Sequence, residues 1–527
     1  MIASESTRLH PALSTPPSDI VLCTLNARHA HASLALRYLQ ANLGALQPRS
    51  VIVEFVIGAR TETLVEKLLA HRPRIVALSV YIWNVDETTR LVAVLKRVAP
   101  EVKVILGGPE VSHEYDQQRI VQLADHLVTG PGELAFTRLC GQLLDGPAPL
   151  MKVIAGDAPD LDRLCLPYSL YSDRDIAERF LYVEASRGCP FKCEFCLSSL
   201  DKTAWAFDTD RLLAELAALH ARGARRFKFI DRTFNLKIDA SRAILQFFLG
   251  LIESTPDDPV FAHFELVPDH LPDRLRDVIA RFPAGTLQFE IGIQTWNPQV
   301  QALISRRQDN DKASDNIRWL AGHGTAHLHV DLIAGLPGED LDSFAAGFDR
   351  LAALGPHEIQ VGVLKRLRGT PIARHTEAFG MRYNPDPPYN VLSTDRVPFQ
   401  HMQRITRFAR YWDLIANSGR FVHALPLLLS TQPFGRFMAL SDWLYAHTDA
   451  THRFSSERLF ELVQRWAIEA QVSEVRAITD SIAKDRQAAH PAPRAPDPPN
   501  GAHRRAHAAP ARQARFLRGA QLPQQVD

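Results

Sequence analysis

The chain has 527 residues, 46% hydrophobic and 23% charged, which is ordinary globular material with room for two or three domains. A formal net charge of +1 excludes the basic field that marks a nucleic-acid binder, and no apolar run reaches the length of a membrane span. Six cysteines, three of them within 189–196, argue against a disulfide framework and for a reducing compartment, the cytosol by default.

Residues 1–17 read as a flexible polar leader without the charged and apolar segments of a signal peptide. From Asp19 the pattern alternates, with strands at 20–25, 51–57, 75–81 and 102–106 and helices around 34–46 and 87–98. This predicts a Rossmann-like, doubly wound α/β domain over 18–145. Ligands in such sheets bind at the carboxyl ends of the strands. Those ends carry His29 and His31, then Ser79, then Gly107 and Gly108, then Gly130-Pro131-Gly132-Glu133. The glycine pair either lets backbone approach a ligand or makes an ordinary tight turn. His29 and His31 read as surface or loop-packing residues. Residues 146–178, with Pro147, Pro149, Pro159 and Pro167, read as a connector. Cys23, Cys140 and Cys165 read as free buried thiols, the first two in a core.

A strand over 180–186 delivers the stretch Arg187-Gly188-Cys189-Pro190-Phe191-Lys192-Cys193-Glu194-Phe195-Cys196, a C-x3-C-x2-C spacing. Thiolates are soft ligands for iron or zinc, so three on one tight loop predict a metal centre. An iron–sulfur cube normally takes four cysteines, and three leave one iron open to a small molecule. A zinc site, which needs a fourth ligand from elsewhere, and buried unliganded thiols are the alternatives.

Five more strands are expected at 226–231, 260–266, 287–293, 327–334 and 358–364. With the first they predict a partial (β/α)6 barrel over 179–375, its chemistry at the C-terminal strand ends. Asp231 closes the second strand, Glu265 the third, Glu290 and Gln294 the fourth, and Gly335 follows the fifth in a G-L-P-G-E turn. Glu290, Gly292 and Gln294 alternate and so share one face. Buried carboxylates need hydrogen-bond partners; a ligand or an internal ion pair would satisfy Glu265 and Glu290. Asp231 alternatively caps a helix and pairs with Arg232. Residues 365–370 form a basic loop, either a solvated edge or a contact for an anionic substrate. Helices near 399–417, 435–447 and 455–471 predict a helical C-terminal domain over 376–475, and the Ala-, Pro- and Arg-rich residues 476–527 a disordered tail.

The cysteine spacing, followed by βα repeats, resembles the radical S-adenosylmethionine (SAM) superfamily. That resemblance implies a [4Fe-4S] cluster on Cys189, Cys193 and Cys196, with SAM chelated to the open iron and cleaved to a 5′-deoxyadenosyl radical. It places Phe195 beside the cofactor, Asp231, Glu265, Glu290 and Gln294 around SAM, and Gly335 near its adenine. The departure at Asp231 is from a Gly-Gly-Glu common in the superfamily. The serine and double-glycine signals at Ser79, Gly107 and Gly108 resemble the cobalamin-binding domain that precedes the barrel in many such enzymes. The D-x-H-x-x-G motif that can supply a cobalt ligand is absent. The C-terminal part resembles an uncharacterised branch of that group.

The implied activity is cobalamin-dependent methylation or rearrangement of a small-molecule or peptide substrate, with a reductant such as flavodoxin or ferredoxin. No residue is singled out as catalytic. Cobalamin-free hydrogen abstraction or group insertion and a non-catalytic cobalamin- and cluster-binding sensor are the other readings. Carboxylates at the strand ends favour an enzyme over the sensor.

Overall fold

The computed structural model describes residues 16–201, 203–489 and 510–521, which form two compact units meeting at Phe180/Leu181. Most of the expected leader, residues 1–15, lies outside the described residues.

The first unit holds β1 (Ile20–Asn26), β2 (Ser50–Val56), β3 (Ile75–Ser79), β4 (Lys103–Gly107), β5 (His126–Thr129) and β6 (Val153–Ala155). All pair in parallel in the order β2-β1-β3-β4-β5-β6. Helices cover both faces, so successive residues of β1 feed opposite cores: Val21, Cys23 and Leu25 pack in one, Ile20 and Leu22 in the other. The strand order reverses between β1 and β3, which opens a crevice at their carboxyl ends.

The expected connector is a correction. Val153 and Ile154 add a sixth strand, and Tyr168 and Tyr171 are fully buried. Arg37 ties the stretch down through Asp175 at 2.8 Å while also pairing with Glu54 at 3.1 Å. The prolines that marked this segment as open chain lie between packed residues, whereas Cys165, expected buried, is exposed, its main chain and not its thiol being held by Asn42.

The second unit is the predicted barrel. Its strands are β7 (Leu181–Val183), β8 (Arg226–Phe229), β9 (Phe261–Leu266), β10 (Leu287–Gln294), β11 (Ala326–Ala334) and β12 (Glu358–Val363). They pair in parallel and in chain order, leaving β7 and β12 as unpaired edges of an open sheet. Along β10, Leu287, Phe289, Ile291 and Ile293 are buried while Gln288, Glu290, Gly292 and Gln294 are part-exposed. That period-two alternation puts the polar set on the concave face.

Helices Phe399–Ile415, Pro433–Thr448 and Ser456–Glu469 follow where periodicity placed them. The disordered tail expected from 476 is corrected in part. Val475–Ala489 is helical, because Ile478 and Ile482 recur at helical spacing and are buried. Ala511–Gln521 is also helical and lies against the barrel's lower end. Arg512 pairs with Glu358 at 2.7 Å and Asp413 at 2.9 Å, Gln513 donates to the Leu287 carbonyl, and Phe516 packs on His327. Residues 490–509 and 522–527 of the expected tail lie outside the described residues.

Candidate functional site

The loop after β7 turns at Gly188, whose φ is +86° and where any side chain would overlap the Thr203 carbonyl. The Cys189 amide donates to Asp201, the Cys196 amide to Cys193, and the Ser199 hydroxyl to the carbonyls of Cys193 and Cys196. This backbone net fixes three thiols, none in a disulfide, around a cavity of about 210 Å³. Cys189 and Cys193 are buried and Cys196 is half-buried. Burial pushes the Cys189 and Cys193 thiols up, so a bound cation is what would make thiolates of them. Among the described residues no three His, Cys, Asp or Glu side chains form a group fit for one metal ion. Three thiols lining one cavity are the donor set of a cluster with one iron left open, whereas a structural zinc takes four N/S ligands.

Phe191 and Phe195 flank the thiols, and Glu265, Glu290, Gln294 and Asp331 line the same cavity. Each carboxylate is answered by a cation or an imidazole. Arg232 Nη1 lies 2.9 Å from both oxygens of Glu265. Glu290 faces His263 at 3.2 Å and Lys228 at 3.3 Å. Burial opposes its ionisation, yet these two neighbours hold it below the usual carboxylate range. Burial lowers His263 to about 4, so it stands neutral. His329 lies 3.2 Å from Asp331 and 3.6 Å from Glu358; burial would lower it, but the two acids push it up to about 10.

Gln294 departs from this pairing. It adopts φ +69° at a bulge in the β10–β11 register, and its buried Oε1 has no partner. A side chain at Gly292 would collide with its amide, so the glycine clears space for it. A strained residue with an unmet acceptor beside an open cavity is what a bound ligand with N–H or O–H groups resolves. The residues therefore fit both a cluster and SAM.

Two residues that sequence reasoning passed over complete the site. Arg306 directs Nη1 to Cys193 Sγ at 3.6 Å and also bonds the Gly292 carbonyl. Glu194, between two of the cysteines, is buried and holds Ser305, Arg374 and His375. The only sequence signals were a charged residue inside the cysteine motif and an Arg306-Arg307 pair.

Two expected site residues lie apart from the cavity lining. Asp231 is buried and accepts from the Ala185 amide at 2.9 Å and the Ser186 hydroxyl, tying β8 to the root of the cysteine loop. Arg232, its expected alternative partner, is spent on Glu265. Gly335 needs its φ of +83°, and the space of its missing side chain is filled by Val391 and Met402 of this chain.

In the first unit, Ser79 is opposite Gly107 in the β3–β4 register, at the carboxyl edge beside the switch point. Gly107 has open room, its nearest contact for a side chain being 3.6 Å away at the Val128 carbonyl. Gly108, with φ +109°, gives its space to the Val80 carbonyl, 2.5 Å from where a Cβ would stand. The edge thus sets a buried serine, hydrogen-bonded to Tyr81, beside a glycine with open room, which leaves space for a ligand with a slender tail. His29 is half exposed and pairs with Glu178 at 3.0 Å; His31 makes an isolated bridge to Phe180.

Comparison with known proteins agrees with this layout. Residues 20–140 match the B12 binding domain, 183–351 the radical SAM superfamily, and 377–498 a family described as protein of unknown function (DUF4080). The cobalamin-dependent radical SAM methyltransferase TokK of Streptomyces tokunonensis is 27% identical over 59% of this chain and 50% of its own length. The uncharacterized methyltransferase PH0819 of Pyrococcus horikoshii is 26% identical over 52% of this chain and 63% of its own. The chain thus spans about half to three-fifths of these relatives. The radical SAM methyltransferase TsrM of Kitasatospora setae, with cobalamin and a [4Fe-4S] cluster bound, shares the fold at TM-score 0.56 and 16% identity, covering 90% of this chain and all of that one. The chain thus carries a radical SAM superfamily match over residues 183–351, with a B12 binding domain match ahead of it and a DUF4080 match behind it.

Proposed function

We propose that the protein cleaves SAM reductively at a cluster on Cys189, Cys193 and Cys196 and, with cobalamin, methylates a small-molecule or peptide substrate. The bound groups would supply an electron, a carbon radical and a methyl carrier. The chain's residues position and shield. Gln294 offers its unmet acceptor to SAM, with Glu265 and Glu290 on the same wall. Glu290 stays ionised beside neutral His263 and Lys228, so it accepts hydrogen bonds without taking a proton. Phe191, Leu266 and Val267 give the cavity an apolar rim that keeps water from a reactive intermediate. The methyltransferase names of TokK and PH0819 support methyl transfer over rearrangement. A flavodoxin or ferredoxin in a reducing cytosol fits the six free cysteines and the superfamily's need for an electron donor.

The observation that carries this reading is that three thiols line one cavity with Gln294, whose buried side-chain oxygen has no partner. The test is anaerobic reconstitution with iron, sulfide and hydroxocobalamin, then gel filtration, a visible spectrum and assay of 5′-deoxyadenosine after reduction with SAM. Cluster and cobalamin bands with 5′-deoxyadenosine are expected, all cluster signals being lost in Cys193→Ala. Cluster absorbance persisting in that variant would sink the assignment. Cobalamin washing off while the cluster stays would leave hydrogen abstraction as the chemistry.

A further inference from the structure

Glu194 lies inside the cysteine motif, yet its carboxylate does not line the cavity. It is 3% exposed and accepts from Ser305 Oγ, from Arg374 and from His375 Nε2, the last at 2.9 Å. Its main chain is held as well, the amide donating to the Ile304 carbonyl at 3.1 Å and the carbonyl accepting from Ile372 at 3.0 Å. Arg374 and His375 belong to the short helical turn Pro371–His375 that follows β12. The cysteine loop follows β7. These are the two unpaired edges of the open sheet, so the Glu194 contacts join its ends at the C-terminal rim.

A hydrogen-bonded sheet closed on itself would fix its rim through its own ladder. Here the ladder stops at β7 and β12, and the loop that must present three thiols hangs from the shortest of the six strands. A buried carboxylate bonded to a guanidinium, an imidazole and a hydroxyl is costly to break, because its charge would be left without partners.

We infer that Glu194 is a positioning residue, a latch that holds the cluster loop in its ligating shape by tying it to the loop after the last strand. This rests on the cluster assignment above. Neither Arg374 nor His375 is among the residues lining the cavity, and their side chains meet the cysteine loop at Glu194.

The test uses the full chain, reconstituted anaerobically, with iron and sulfide content and the rate of cluster bleaching under excess chelator as readouts. Arg374 is largely exposed, so Arg374→Ala leaves the fold intact. Its cluster is expected to bleach about tenfold faster than the parent's, the loss of a charge-assisted bond. Arg374→Lys should recover most of the parent rate, a rescue that a general packing defect would not show. Glu194→Gln should bleach faster too, and combining it with Arg374→Ala should add little, as for two members of one contact. Parent-like bleaching in Arg374→Ala, or full additivity in the double variant, would overturn the latch. Failure of the parent itself to take up iron and sulfide would instead overturn the cluster assignment.

Discussion

Arg306 points a guanidinium N–H at the sulfur of Cys193, 113 residues earlier in the chain, with Nη1 and Sγ 3.6 Å apart. The same side chain bonds the Gly292 carbonyl at the start of the bulge that strains Gln294. One cation therefore serves the thiol wall and the carboxylate wall of the cavity together.

A cation that donates to a cluster sulfur favours the reduced, more negative cluster. Arg306→Gln should therefore lower the cluster's midpoint potential by roughly 60 mV, the increment that corresponds to tenfold for one electron. An EPR-monitored redox titration measures this, and an unchanged potential would show that the contact does not reach the cluster.

Gln294 should report SAM directly. Replacing it with leucine removes the unmet acceptor and keeps the bulk. The expected loss is about 1–3 kcal/mol of SAM binding, roughly five- to 150-fold in Kd, with iron and sulfide content unchanged. Equilibrium binding to cluster-loaded protein checks it. Equal affinity in the variant would remove Gln294 from the SAM site.

Glu339 predicts a pH dependence. Its carboxyl accepts from Thr295 Oγ1 at 2.6 Å, and burial raises it from 4.5 to about 7. The folded chain holds this proton more tightly than the unfolded one. Its contribution is thus complete below the ordinary carboxylate range and is lost as pH rises through about 7. Asp231 and Asp485, likewise raised by burial to about 7, act in the same direction. Glu339→Gln keeps an acceptor for Thr295 and has no proton to lose. It should flatten the decline in unfolding free energy between pH 5 and 8 by up to about 3 kcal/mol. Urea melts across that range would refute the assignment if the slopes coincide.

The two glycines after β4 should separate folding from ligand uptake. Gly108→Ala drives a Cβ into the Val80 backbone at positive φ and should cost roughly 2–4 kcal/mol of stability. Gly107→Ala meets only ordinary contact and should stay within about 1 kcal/mol of the parent. Thermal melts distinguish them. If Gly107→Ala also loses hydroxocobalamin retention, the open edge at Ser79 is where the ligand lies.

Much of this was legible because it is local. The alternation of strand and helix stretches marks the six barrel strands to within a few residues, and period two puts Glu290, Gly292 and Gln294 on one face. The three cysteines and Phe195 line one cavity, within eight positions of one another in the chain. What escaped was each partner set by long-range packing. Glu194 meets Arg374 and His375 from 180 and 181 positions away, and no local pattern announces such a pair. Asp231 read as a ligand for the same reason: a polar residue at a strand end looks alike whether it faces the cavity or the Ser186 hydroxyl. Val153 and Ile154 escaped because a three-residue strand framed by prolines has too few residues to show a period.

The helix Ala511–Gln521 bears on how the barrel is made. Gln513 bonds the first carbonyl of β10 from 226 positions downstream, and Arg512 reaches Glu358 from 154. At ribosomal rates of about 5–20 residues per second, the floor of a nascent barrel waits roughly 10–45 s for the segment that seals it. During synthesis Glu358 has, among the described residues, the histidines of β11 as its ion-pair partners, and any chaperone that binds the unfinished barrel would find its lower end open.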